Sequence, residues 1–400
     1  MVCREGIEGG FADTVERVAE AVGVTVSDDV VRRMTEGIGA VAEAQTQAAM
    51  ARVARGQPTW TASDPVEAAE SGVLAVEVDG VYVHRDDGWH EMKVVTVAPL
   101  GPGVTVDAET GRERLSWGRA SYGAGFEEAQ AFWGRAYAEA CRRGLGTSAV
   151  RTVVLVGDGA EWIWHSARSF LALPGVELIE IIDLYHAYEY LWAVGNTVFG
   201  VETAAAAAWV EPLKTRLYAE GAAPVRAALE TLARTVCAAP DAAEESAAVT
   251  AVRRALEYVT THAARLDYPA FVARRFPIGS GAVESSCKGV VQARTKGAGM
   301  RWSGDGAQRV VALRALHRSG RWDAFWQAQP QRARLLLFPR ARQRPAAPAA
   351  ASPPLVTPPV VSDPAPPTPP SATAPAPPRL LRPAADHPWR RQSIGRARSA

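Results

Sequence analysis

Cysteine is scarce in this chain of 400 residues: Cys3, Cys141, Cys237 and Cys287 lie far apart and form no CxxC pair. That argues against a zinc ribbon and against a disulfide scaffold, and it fits a reducing cytoplasm. Long apolar runs are missing too. None approaches the roughly 20 residues of a membrane span, and the opening MVCREGIEGG lacks the apolar core of a signal peptide. The expectation is a soluble, cytoplasmic protein with no membrane partner. Nor is there an excess of either charge: Lys and Arg number 44 against 43 Asp and Glu, a formal net charge of +1. A polyanionic partner would have to be met by a local patch. Hydrophobic residues, at 48%, are plentiful enough to bury one large or two medium cores.

Such a patch exists. From Arg274 to Arg318 the chain carries nine cations (Arg274, Arg275, Lys288, Arg294, Lys296, Arg301, Arg309, Arg314, Arg318) against only Glu284 and Asp305. Glu284 lies in PIGSGAVESSCK, a run of glycine, small polar residues and positive charge. A lone acid in a basic groove suits a metal-dependent enzyme acting on nucleic acid: the cations hold phosphates and the acid helps hold the metal.

The organisation can be followed along the chain. Phe11, Val15, Val18 and Val22 recur at helical spacing, Gly23 breaks the run, and Ser27-Asp28 caps a second helix over about 29–38. From Gly72 the period changes. Residues 73–79 predict a first strand, Gly80 a turn, 81–83 a second strand, and 92–100 a third after the turn at Asp86-Asp87-Gly88. A helix over about 126–143 precedes the apolar run 152–158, a strand buried on both faces. A helix over 160–170 then leads to a strand over 176–182, which ends at Asp183. Three hairpin-linked strands followed by helical crossovers are the order of an RNase H-like α/β domain, a mixed five-stranded sheet with helices on both faces. The expected divisions are an N-terminal helical region over 1–70, a first part of the α/β core over 71–200, an all-helical insertion over 201–270, the last part of the core with the basic groove over 271–330, and a disordered Pro/Ala/Arg-rich tail over 331–400.

Acids at the ends of neighbouring strands converge on one place. Asp79 is read as ending the first strand and Asp158 the fourth, and in the RNase H-like order these strands are adjacent, which sets the carboxylates roughly 5 Å apart. Hard oxygen ligands so placed suit a pair of Mg²⁺ or Mn²⁺ ions, which can activate an attacking oxygen and stabilise a leaving one. Each Asp-Gly pair alone reads equally as a turn signal. Glu284 sits at the margin of the stripe Val283, Cys287, Val290, Val291, from which it can reach the sheet; its plain alternative is an i,i+4 pair with Lys288. Asp183 and His186 read on their own as a helix cap and a packed histidine. Asp183 competes with Asp158 for the second ligand role, and Asp158 is preferred because Asp183 lies about two strand spacings from Asp79. Arg314, His317, Arg318 and Arg321 fall on one helical face; with Lys288, Arg294, Lys296, Arg301 and Trp302 they are read as phosphate contacts with stacking support.

These motifs together resemble a known family. VEVDG at Asp79, GWHEMKV, GDGAEWIW at Asp158, DLYHA at Asp183, PIGSGAVESSCK at Glu284, GMRWS and GAQRVVALRALHRSGRWDAFW occur in the order seen in bacterial insertion-sequence DDE transposases of the ISKra group, relatives of the Mutator-like enzymes. The resemblance spans about residues 10–326. It implies Asp79, Asp158 and Glu284 as a catalytic and metal-binding triad, with Asp183 and His186 as an accessory motif. It also implies Mg²⁺-dependent cleavage at element ends followed by strand transfer. The partners implied are double-stranded DNA, as element ends and target, and further copies of the chain assembled on it, with the protein associated with the bacterial nucleoid. Members of the group carry a longer N-terminal region with cysteine pairs, whereas Cys3 is alone in the first hundred residues here. A shortened copy is therefore expected, and two alternatives stand beside the transposase: a non-transposing DNA-binding remnant, and an RNase H-like nuclease that hydrolyses without joining.

Overall fold

The β-branched run that opens at Val73 does not stop at Asp79. In this computed structural model, which describes residues 1–55, 71–106, 113–237 and 246–329, β1 covers Val73–Arg85 and pairs antiparallel with β2, Gly88–Val106. Asp79-Gly80 is thus strand and not turn, which corrects the sequence reading of two short strands. Gly80 lies opposite Lys93 in the ladder, and a Cβ there would stand 2.2 Å from the Glu91 carboxylate. The chain reverses at Asp86-Asp87 instead, with Gly88 at φ 121°.

β2 pairs further with β3, Glu113–Trp117, and β4, Ser121–Gly125. Neither strand is expected from sequence, because Ser-Tyr-Gly-Ala-Gly has no β-branched residue to mark it. β5, Thr152–Gly157, runs parallel to β1, and β6, Glu177–Ile182, runs parallel to β5. The result is a mixed α/β architecture around an open sheet of six strands rather than five, in the order β3-β2-β1-β5-β6 with β4 also on β2.

Fourteen α-helices surround the sheet among the described residues. Three precede it: α1 (Val2–Glu8), α2 (Phe11–Val22) and α3 (Asp28–Ala54). Within it come α4 (Ala129–Arg142), α5 (Glu161–Leu171) and α6 (Leu184–Phe199). Then follow α7 (Ala204–Glu220), α8 (Ala222–Cys237), α9 (Ala247–Thr261) and α10 (Tyr268–Ala273). The last four are α11 (Gly281–Ser286), α12 (Ala293–Thr295), α13 (Gly304–Arg318) and α14 (Trp322–Ala328). A π-helical turn, Cys287–Gln292, joins α11 to α12. Ser27 caps α3 as expected, accepting the Val30 N–H at 3.3 Å. The helix then runs far past residue 38, lying so close to α13 that a Cβ on Gly39 would be 2.2 Å from the Arg309 carbonyl.

Successive side chains of a strand face opposite sides. Leu74, Val76 and Val78 of β1 join Val95, Val97, Phe132 and Trp133 in the main core, which continues through α5, α6 and the helices of 204–271. Glu77 faces the other way and meets α11. Helices therefore cover both faces. Among the described residues no helix is long and apolar enough to cross a membrane. The expected tail over 331–400 lies outside the described residues, as does the segment 56–70.

Candidate functional site

The parallel ladder of β1 on β5 ends at the pair Glu77–Val156. Two residues further along each chain come Asp79, still inside β1, and Asp158, just past β5. Asp79 therefore stands where β1 leaves β5 and continues into its hairpin. It does not end its strand as the sequence suggested, yet it comes to the same carboxyl end of β5. Its Oδ1 accepts the Gly80 N–H at 2.7 Å and its Oδ2 the Cys287 thiol at 3.6 Å. Burial raises the Asp79 pKa above the usual carboxylate value; the Gly80 bond opposes this, and the negative charges of Asp158 and Glu284 add to it. Two acids from other parts of the chain thus act on Asp79. Asp158 uses Oδ1 to accept the Ala160 N–H at 2.8 Å, in a turn made possible by Gly159 at φ 99°.

Asp183 is engaged differently. It caps α6, with Oδ1 accepting the His186 N–H at 2.9 Å, while Oδ2 accepts the Ser280 N–H. Beside it Leu184 N–H donates to Ile278 O at 2.9 Å, so the end of β6 is tied to the loop that enters α11. His186 places Nδ1 3.2 Å from Glu189 Oε2. Burial works against its imidazolium, but the bond to Glu189 and the charge of Asp158 prevail and raise its pKa.

Glu284 lies in the first turn of α11, partly exposed, with Lys288 Nζ 3.8 Å away. That loose contact is the i,i+4 pair the spacing allows. A residue absent from the sequence reading lies behind it. Glu77 is 1% exposed, accepts the Val283 N–H at 2.8 Å on Oε2, and leaves Oε1 without a partner. Burial pushes its carboxyl up to about 8, with Asp183 and Glu284 adding to the shift. The signal was a charged residue two places before Asp79 on the same strand face.

Among the described residues no three His, Cys, Asp or Glu side chains are grouped closely enough to hold a metal ion as they stand. The chemistry of the donors still fits a hard divalent cation: Asp79, Asp158 and Glu284 offer only carboxylate oxygens, and the repulsion that adds to the effect of burial on Asp79 is what a cation would relieve.

The basic residues divide into two sets. Lys288, Lys296 and Arg301 are exposed. Arg294 and Arg314 are each 2% exposed and Trp302 is 5% exposed, which corrects their assignment to a phosphate track. Arg294 donates from Nε to Gly6 O at 2.9 Å and lies 4.3 Å from the Phe11 ring and 4.7 Å from the Trp302 ring. Burial and the charge of Arg314 push its guanidinium down to about 10. Arg314 donates to Gly289 O at 2.9 and 2.8 Å and also to Ile7 O. Trp302 is held by a backbone bridge to Arg85. These side chains clamp the amino-terminal helices onto the segment after Glu284. Arg318 is half-exposed but pairs with Glu8 at 2.9 Å. Arg321 lies beyond the end of α13 and pairs with Glu139 at 3.0 Å, so the supposed basic stripe is a set of ion pairs.

No protein-family model matches this chain, and comparison with curated protein sequences finds no match.

Proposed function

We propose that this protein is a DDE transposase with an RNase H-like catalytic domain, cutting and joining DNA strands with Asp79, Asp158 and Glu284 as its metal-binding acids. The observation that carries the reading is the register of β1 on β5, which sets Asp79 and Asp158 at one sheet end while α11 brings Glu284 to the same strand. The strand order supports the RNase H-like assignment, since a central strand pairs antiparallel on one side and parallel on the other.

Two Mg²⁺ or Mn²⁺ ions, when bound, supply activation of the attacking oxygen and stabilisation of the leaving one. The three carboxylates supply the ligands. Lys288, Lys296 and Arg301 hold backbone phosphates, a role that carries no base specificity. His186, oriented by Glu189, adds positive charge on the Asp158 side and serves as an accessory group. Asp183 fixes the loop that leads to Glu284. Double-stranded DNA of the nucleoid is the substrate, and copies of the chain assemble on it.

The test uses a supercoiled plasmid with Mn²⁺. Wild-type protein nicks it, and Asp79→Asn, Asp158→Asn and Glu284→Gln each remove the activity while leaving the melting temperature unchanged or higher. Full activity in Asp158→Asn, with loss in Asp183→Asn, would overturn the triad. Nicking without any joined product would leave the hydrolytic nuclease.

A further inference from the structure

We infer that Glu77 is a positioning residue that fixes Glu284, by anchoring the first turn of α11 to the strand that carries Asp79. The inference rests on the reading of Glu284 as a metal-binding acid.

The first N–H groups of any helix lack intrahelical partners and are usually satisfied by a capping side chain. Ser280, at the cap of α11, makes no side-chain cap bond. Two carboxylates from the sheet take over instead. Asp183 accepts the Ser280 N–H from the end of β6, and Glu77 accepts the Val283 N–H at 2.8 Å from the middle of β1. Val283 is the residue immediately before Glu284. Glu77 and Asp79 share a strand face because they are two residues apart. One strand therefore carries one proposed ligand and holds the backbone of another.

Two further contacts secure the same helix. Thr96 of β2 and Ser286 bond through their hydroxyls at 2.7 Å, and Cys287 donates its thiol to Asp79. Glu77 is the member of this set that bonds the helix backbone beside Glu284. A buried carboxyl group with one oxygen unpartnered is costly to keep for packing alone. Supporting groups of this kind, when removed, typically weaken metal binding by about 10- to 100-fold.

The experiment follows single-amide hydrogen exchange together with Mn²⁺ titration of the full chain. In wild type, the Val283 amide is protected despite its place in a first helical turn. Glu77→Ala speeds exchange across 281–286 and weakens Mn²⁺ binding by about 10- to 100-fold. Glu77→Gln, which keeps an acceptor oxygen, restores both. An unprotected Val283 amide in wild type would overturn the inference without any variant, so it stays testable if Glu77→Ala does not fold. Glu77→Gln as damaging as Glu77→Ala would also overturn it. If exchange behaves as expected but wild type binds no Mn²⁺, the anchoring stands and the metal-centre reading fails.

Discussion

Asp158 and Asp183 follow the carboxyl ends of neighbouring parallel strands, and each is followed by a helix, yet they are used differently. Asp183 has both oxygens on backbone N–H groups, from His186 and Ser280, and is 3% exposed. Asp158 is set off from α5 by Gly159 and Ala160 and joins Asp79 and Glu284 in an electrostatic cluster. The same contrast separates Arg294 and Arg314, turned onto carbonyls, from Lys288, Lys296 and Arg301, turned to solvent. Asp183, with both oxygens on backbone N–H groups, builds the fold, whereas Asp158 commits one oxygen to the Ala160 N–H and keeps the other for chemistry.

The sharpest way to break this contrast is a pair of alanine variants. Asp158→Ala is expected to lower Mn²⁺-dependent nicking by more than about 100-fold with little loss of stability. Asp183→Ala removes a helix cap and a second buried acceptor, and should cost about 2–4 kcal/mol in a denaturant melt. Equal stability losses in the two would end the distinction. A smaller effect separates the cations. Arg294→Ala should destabilise by about 2–3 kcal/mol. Neutralising Lys288, Lys296 and Arg301 together should leave the melt unchanged and flatten the salt dependence of DNA binding by about 0.9 in log–log slope per lost phosphate contact.

The smallest expected effect is in pH. The folded-state pKa of Glu77 is raised, from 4.5 to about 8, so as pH climbs through that window the unfolded chain gives up its proton first. Its contribution to stability, fully present below 4.5, is lost as pH rises toward 8. Melts of wild type in EDTA should therefore fall from pH 5 to pH 8 more steeply than melts of Glu77→Gln. Parallel curves would refute the assignment.

What could be read from sequence was what rests on local pattern. The strands at 152–157 and 177–182 were legible as apolar runs, and the turn at Asp86-Asp87-Gly88 as a cluster of turn formers. Asp79-Gly80 misled because its composition favours a turn, whereas pairing with Val94 and Lys93 keeps it extended. Burial of Arg294, Arg314 and Trp302 depends on α1 and α2 returning from the start of the chain, a tertiary event that leaves no local trace. Glu77 was hidden for a related reason: alternation with Val76 and Val78 makes it look solvent-facing until α11 covers it.

The π-helical turn between Glu284 and Arg294 has a consequence for rotational phase. A π turn holds one residue more than the α-helical turn it replaces, and one residue corresponds to about 100° of rotation. Glu284 thus lies close enough to Asp79 for their charges to interact while Arg294 points to Phe11 and Trp302, two placements that an uninterrupted α-helix would have locked together. The extra residue works as a phase shifter, letting the two ends of one rod be aimed independently.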